Sequence, residues 1–215
     1  MVTAAVTRPT NRGTSDQAAL DPNLGGHRGR LLAGMAAALV EKGYGGVTIA
    51  DIARHARVSK RTFYEHFADK QECFLAVYAT ASDRLLELVG EAARPELDWV
   101  EQVRAAVNAY LSALQNEPAL TRTMLLELQS AGPEALRLRR RGQQDFAALL
   151  LDRVAQGVRE RPGARPISPA MATAVIGGLN ELVLEAVEDG RADRLTDLGG
   201  VATDFVRAVL LSQSE

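Results

Sequence analysis

The sequence predicts an all-α protein, and three observations predict it. Apolar residues recur at three- and four-residue spacing from Arg28 almost to the C-terminus. No segment shows the strict alternation of a half-buried strand. Pro95, Pro118, Pro133 and Pro169 stand at the heads of periodic stretches, where a missing N–H costs nothing. The 215 residues allow one or two domains with a proper core. With 47% hydrophobic and 24% charged residues, the composition excludes a disordered chain and a membrane bundle. The longest apolar run, Leu31 to Val40, is ten residues, short of the roughly 18 that span a bilayer. The first 26 residues lack a basic start followed by an apolar run, so no secretory signal is expected. A single cysteine, Cys73, leaves the fold to packing alone. These features predict a soluble cytoplasmic protein.

Residues 1–26, rich in Thr, Pro, Asn and Gly, read as a flexible arm. The first helix buries Leu31, Leu32, Met35, Ala38 and Leu39 and stops at Gly43. Thr48 caps a second, which buries Ile49, Ile52, Ala53 and Ala56. Ser59 caps a very short third helix to about Glu65, and Asp69 caps a long fourth. Further helices are expected over about 95–115, 118–129, 133–159, 169–188 and 195–212, with a loop over 161–169. That makes about nine helices and no internal repeat. Three units follow: the arm 1–26, an N-terminal three-helix unit 27–72, and a C-terminal helical unit 73–215.

The net charge of −2 conceals a gradient. Residues 27–72 hold eight basic side chains against five acidic ones, net +3, including all three lysines and all three histidines of the chain. Residues 73–215 are net −5. Such asymmetry points to a local surface for a polyanion, or arises by chance in so short a window. Helices two and three, joined by a few residues and held by Ile52, Val58 and Phe63, have the construction of a helix-turn-helix. The third helix is small enough for a groove about 12 Å wide. Its outward positions, Lys60, Arg61, Thr62 and Tyr64, suit guanine edges, thymine methyls and phosphates. Helix N-termini at Thr48, Ser59 and Asp69 offer N–H groups to phosphate.

The stretch Gly46 to Lys70, with its Thr48…Ile52-Ala53…Val58-Ser59…Thr62-Phe63-Tyr64…His66-Phe67…Lys70 spacing, resembles the DNA-binding signature of the TetR family of bacterial regulators. The resemblance implies that Thr48 and Ser59 contact phosphates while capping their helices. It implies that Lys60, Arg61 and Thr62 face base edges, with Arg61 the specific reader. Tyr64 and His66 would meet the backbone and bases, and Lys70 a phosphate. Two positions depart from the pattern. Arg57 stands where the family has Gly, so an arginine is expected to need positive φ there and to add a phosphate contact. Cys73 stands where Leu is usual and reads as a small buried hydrophobe.

The resemblance further implies an effector cavity among helices four to eight. Trp99, Tyr110, Met124, Glu127, Phe146 and Asn180 have the size or polarity to shape one, and each is equally explained as core or surface. Arg137, Arg139, Arg140 and Arg141 spread over more than half of a helix circumference and read as a solvated face. The narrower alternative puts Arg137 and Arg141 against the anionic part of a ligand or a partner subunit. Val175, Leu179, Leu182, Val183 and Ala186 form one apolar stripe, and Leu198, Val201, Phe205 and Ala208 another. Both either complete the monomer core or build a homodimer interface through the last two helices, with Ala174 and Gly178 admitting a close neighbour. His55, His66 and Cys73 lack any metal-ligand spacing, and no catalytic or nucleotide-binding motif is present, so neither enzyme, metal nor cofactor is expected. The expected function is a nucleoid-associated, dimeric repressor on a palindromic operator in double-stranded DNA, released by a small-molecule effector and not attached to a membrane. The rival is a helical ligand-binding or interaction module without operator function.

Overall fold

The computed structural model describes residues 26–160 and 166–211, and these contain nine α-helices and no strand. They are α1 (His27–Gly46), α2 (Ile49–Ala56), α3 (Lys60–Tyr64), α4 (Lys70–Ala92), α5 (Trp99–Asn116), α6 (Pro118–Glu127), α7 (Pro133–Glu160), α8 (Pro169–Glu188) and α9 (Gly199–Leu211). Short 3₁₀ turns, Leu128–Ala131 and Leu195–Leu198, follow α6 and precede α9. Nearly all of the arm expected over 1–26, and most of the loop over 161–169, lie outside the described residues.

Local chemistry sets the helix ends. Thr48 and Asp51 form a reciprocal capping box, while Ser59, Asp69 and Ser168 each accept a backbone N–H from the first turn they precede. The expectation that α5 begins at Pro95 is corrected. Pro95 lies in a turn closed by the Leu97 N–H on the Arg94 carbonyl, and the helix starts after Asp98, whose carboxylate accepts from Glu101 N–H at 3.0 Å. An Asp cap satisfies an orphan donor, whereas proline at a helix start only avoids creating one. The stop expected at Gly43 is a break inside α1, with Gly43 at φ 66° and one further turn to Gly46.

Two cores hold the chain together. In the first, Leu31, Leu32, Met35, Ile52, Phe63, Cys73, Phe74 and Val77 are essentially inaccessible, and Leu120, Met124, Leu128, Ala131 and Ala135 from the second half of the chain pack with them. Position 73, where the C-terminal unit was expected to begin, lies inside α4. At Gly34 an added Cβ would lie 2.7 Å from the Ile52 carbonyl, so α1 and α2 touch backbone to backbone. The second core gathers Val103, Val107, Leu111, Val175, Val183, Ala186, Leu195, Ala202 and Val206.

This second core takes up part of the two apolar stripes. Val175, Val183 and Ala186 are buried within the single chain, and Gly178 receives Phe205 of α9, whose Cζ would stand 2.9 Å from an added Cβ. Ala174 and Val201 remain exposed. By length and composition α8 is apolar enough to cross a bilayer, yet only 28% of its most apolar window is buried.

Candidate DNA-contacting surface and effector cavity

The helix-turn-helix is braced from behind by charge. Glu41 of α1 accepts from Arg54 at 3.0 Å and lies 2.8 Å from the His55 Nε2, and Lys42 reaches Asp51 at 2.5 Å. Arg54, then His55, hold the Glu41 carboxyl below its ordinary range; the Lys42 ammonium, then the Thr48 hydroxyl, hold Asp51 well below it. None of these α1–α2 pairs announces itself in the sequence beyond opposite charges on two neighbouring helices.

At the turn, Arg57 takes φ 52° and ψ 47°, the left-handed geometry expected of a residue standing in a glycine's place. Phe63, fully buried, pins α3, and its ring packs against Tyr64 and Phe67 at 5.6 and 5.8 Å between centroids. What α3 leaves outward is Lys60, Arg61 and Tyr64. The Arg61 side chain is 90% exposed and steered by Glu65, one turn on, at 3.2 Å. Thr62 is half-buried, and its hydroxyl lies 3.0 Å from that of Ser59, which also accepts the Thr62 N–H. Thr48 is exposed, but its hydroxyl donates to Asp51 at 2.6 Å. His66 is exposed beside His27, with ring centroids 6.2 Å apart.

Lys70 has a structural duty that sequence reasoning missed. Its ammonium donates to the carbonyls of Tyr44 at 2.9 Å and Val47 at 3.0 Å and lies 4.7 Å from the Tyr44 ring centroid. Two of its three N–H donors thus satisfy carbonyls at the end of α1. Cys73 is inaccessible, and burial pushes its thiol up to about 12, as befits an inert packing residue.

In the C-terminal half two chambers adjoin. The outer, about 710 Å³, is lined by residues of α4 to α8, among them Tyr78, Ser82, Arg84, Met124, Arg139 and Gln143. The inner, about 110 Å³, lies among α4, α5, α7, α8 and α9, and carbon makes up nearly all of its wall. Tyr110, Phe146 and Asn180 line both. The Tyr110 hydroxyl donates to Asn180 Oδ1 at 2.8 Å, its ring meets Phe146 edge-on at 6.0 Å, and burial pushes its phenol well above the usual range.

Five of the six sequence-chosen cavity residues therefore reach a chamber: Trp99 the inner, Met124 the outer, and Tyr110, Phe146 and Asn180 both. Glu127 is the correction. It sits at the seam between the two halves, where its carboxylate accepts the Tyr44 N–H at 2.5 Å and lies against Gly43. The α1 break frees that N–H, and a carboxylate is a strong acceptor for it. Of the arginine run, Arg139 lines the outer chamber, while Arg137 pairs with Glu134 and Arg141 is exposed.

Residues 31–77 match the family model for bacterial regulatory proteins of the tetR family. The chain is 36% identical over 90 residues to the HTH-type transcriptional activator FasR of Mycolicibacterium smegmatis, a match covering 42% of this chain and 41% of that protein. It thus spans about two fifths of that relative's length. Among solved structures, FadR from Bacillus subtilis in complex with stearoyl-CoA superposes with a TM-score of 0.70 at 17% identity, over 84% of this chain and 96% of that one. A putative TetR-family regulator from Mesorhizobium loti gives 0.68 at 19%, over 86% and 96%. The likeness of the solved structures extends the shared fold past the matched segment to most of the chain. The architecture is a helix-turn-helix head on a helical, cavity-bearing body. Residues 31–77 thus carry the segment shared with bacterial regulatory proteins of the tetR family, and most of the chain shares the fold of the solved structures above.

Proposed function

We propose that this protein is a DNA-binding transcriptional regulator: a homodimeric repressor that holds a palindromic operator in the cytoplasm and is released by a small-molecule effector. The observation that carries the reading is α3, a single exposed turn bearing Lys60, Arg61 and Tyr64 and fixed by buried Phe63. A short helix so presented can enter the major groove, with Lys60 and Arg61 at base edges, Arg61 bidentate to a guanine, and Arg57 and Ser59 on phosphates. Thr48, His66 and the remaining N–H of Lys70 would add backbone contacts, and Thr62 a methyl against a base. An apolar α8 left largely uncovered, beside exposed Val201 on α9, supports dimerisation through those helices.

The effector would occupy the chambers of the C-terminal half, and the stearoyl-CoA bound by the Bacillus subtilis FadR supports an amphiphile as its class. Release follows if the effector favours a conformer in which α4 tilts. The two α3 helices then leave the roughly 34–36 Å spacing of adjacent major grooves. FasR is described as an activator, so the direction of control is read from a reporter under the operator's own promoter.

The test is fluorescence anisotropy on DNA upstream of the coding sequence against a scrambled duplex. Selective binding that falls by about 10³-fold or more between 50 and 200 mM salt is expected for about six phosphate contacts. Arg61→Ala should cost about 1–3 kcal/mol and relax preference at one operator position. Weak, equal binding to the upstream duplex, the scrambled duplex and the products of a random-library selection would establish the module without operator function instead.

A further inference from the structure

The wall between the two chambers is built unlike the rest of either. On one side lies a wide space with polar groups in its lining; on the other, a small one lined by Val103, Val107, Leu111, Leu150 and Val183. Tyr110, Asn180 and Phe146, a hydrogen-bonded pair and an edge-on ring, line both. At about 110 Å³ the inner chamber is close to the roughly 150 Å³ of an engineered apolar cavity that stays dry and binds benzene. Gln102 and Arg153 also line it, but nearly all of its wall is carbon, so a hydrocarbon group is its natural occupant.

We propose that Tyr110, Asn180 and Phe146 form a constriction that selects the effector by the length of its apolar tail. The ligand is an amphiphile whose anionic head meets Arg139 in the outer chamber and whose tail passes the constriction to end in the inner one. The inference rests on the reading of these chambers as the effector site. Arg84 at the same rim is already paired with Glu87, whereas Arg139 has no ion pair among the described residues. The acids of the outer chamber, Glu117 and Glu188, come from the start of α6 and the end of α8.

The wall sets a threshold. Each methylene moved from water into carbon-lined space tightens binding about fourfold. Parting the Tyr110–Asn180 hydrogen bond weakens it by about two- to tenfold. One methylene past the wall therefore gains little, and two or three more than recover the loss. Affinity plotted against tail length should run nearly flat where the tail meets the wall and then climb.

The experiment is calorimetric titration of the full chain with saturated fatty acids from octanoate to palmitate, each below its micellar concentration. Wild-type protein should show the flat region and the climb. Tyr110→Phe, which keeps the ring and removes the hydrogen bond, should tighten the tails that pass by about two- to tenfold and leave the shorter ones unchanged. Ala106→Leu, filling the inner chamber, should hold the long tails at the affinity of those that stop at the wall. Arg139→Gln should weaken every length equally. A uniform gain per methylene with Tyr110→Phe indistinguishable from wild type overturns the constriction, as does failure of every fatty acid to bind. Operator binding is measured without ligand, so its loss would overturn the regulator reading and leave the titration standing.

Discussion

The two halves of this molecule solve opposite packing problems. Around the helix-turn-helix, Leu31, Leu32, Met35, Ile52, Phe63 and Phe74 are at 0% exposure and form one core. In the C-terminal half, helices of similar composition stand around about 710 Å³ of space, and Tyr110, Phe146 and Leu150 are only half-buried. A close-packed interior has one arrangement and resists deformation, which suits a head that must present α3 at a fixed angle. Walls around a void can shift at little cost, which suits a body that must respond to what fills it.

The contrast can be broken first at its extremes. Phe63→Ala should cost about 3–5 kcal/mol in urea denaturation, whereas Phe146→Ala, whose ring already faces empty space, should cost less than about 3 kcal/mol. Equal losses would show that the body is packed as tightly as the head. Glu127→Ala tests the seam. It leaves the Tyr44 N–H without its carboxylate and should cost about 1.5–3 kcal/mol, with Glu127→Gln recovering most of it.

A subtler test uses acid. Lys42 and Thr48 hold Asp51 below its unfolded value of about 3.9, so its contribution is complete above that pH and is lost as pH falls toward the folded value. Melting temperature should therefore drop more steeply below about pH 4 in wild type than in Asp51→Asn, measured in the same low-salt buffers. Smallest of all, Arg57→Gly should relieve left-handed strain of about 1–2 kcal/mol while adding unfolded-state freedom, for a net gain of up to about 1 kcal/mol. If Arg57 also touches phosphate, the same variant should bind every duplex less tightly and show a shallower salt slope.

How far the sequence reveals each half follows from the same contrast. Thr48, Ser59, Asp69 and Ser168 act within three residues of themselves, so their caps can be read from a string of letters. The left-handed turn at Arg57 is equally local. Pro95 misleads because proline tolerates a helix start but does not compel one, and Asp98 three residues on caps better. Glu127 misleads for another reason: its partner, Tyr44, lies 83 residues away, and no periodicity encodes that distance. The stripe of Val175, Val183 and Ala186 is real as a pattern, but a pattern names an apolar face without naming what covers it. Empty space leaves no letters at all, so Arg139 could not be told from Arg137 and Arg141 until the chamber beside it was seen.

Leu120, Met124, Leu128, Ala131 and Ala135 complete the core beneath the DNA-facing helices, although they belong to the body by position in the chain. The head is therefore not an interchangeable cartridge. Grafting a different recognition unit onto this body by cutting within α4 would leave five foreign side chains under the new helices. A working chimera would have to carry that inner patch of α6 and α7 along with the head. The same constraint ties any repacking of the head's buried face to a matching change in the floor on which it stands, while exposed Arg61 stays free to vary.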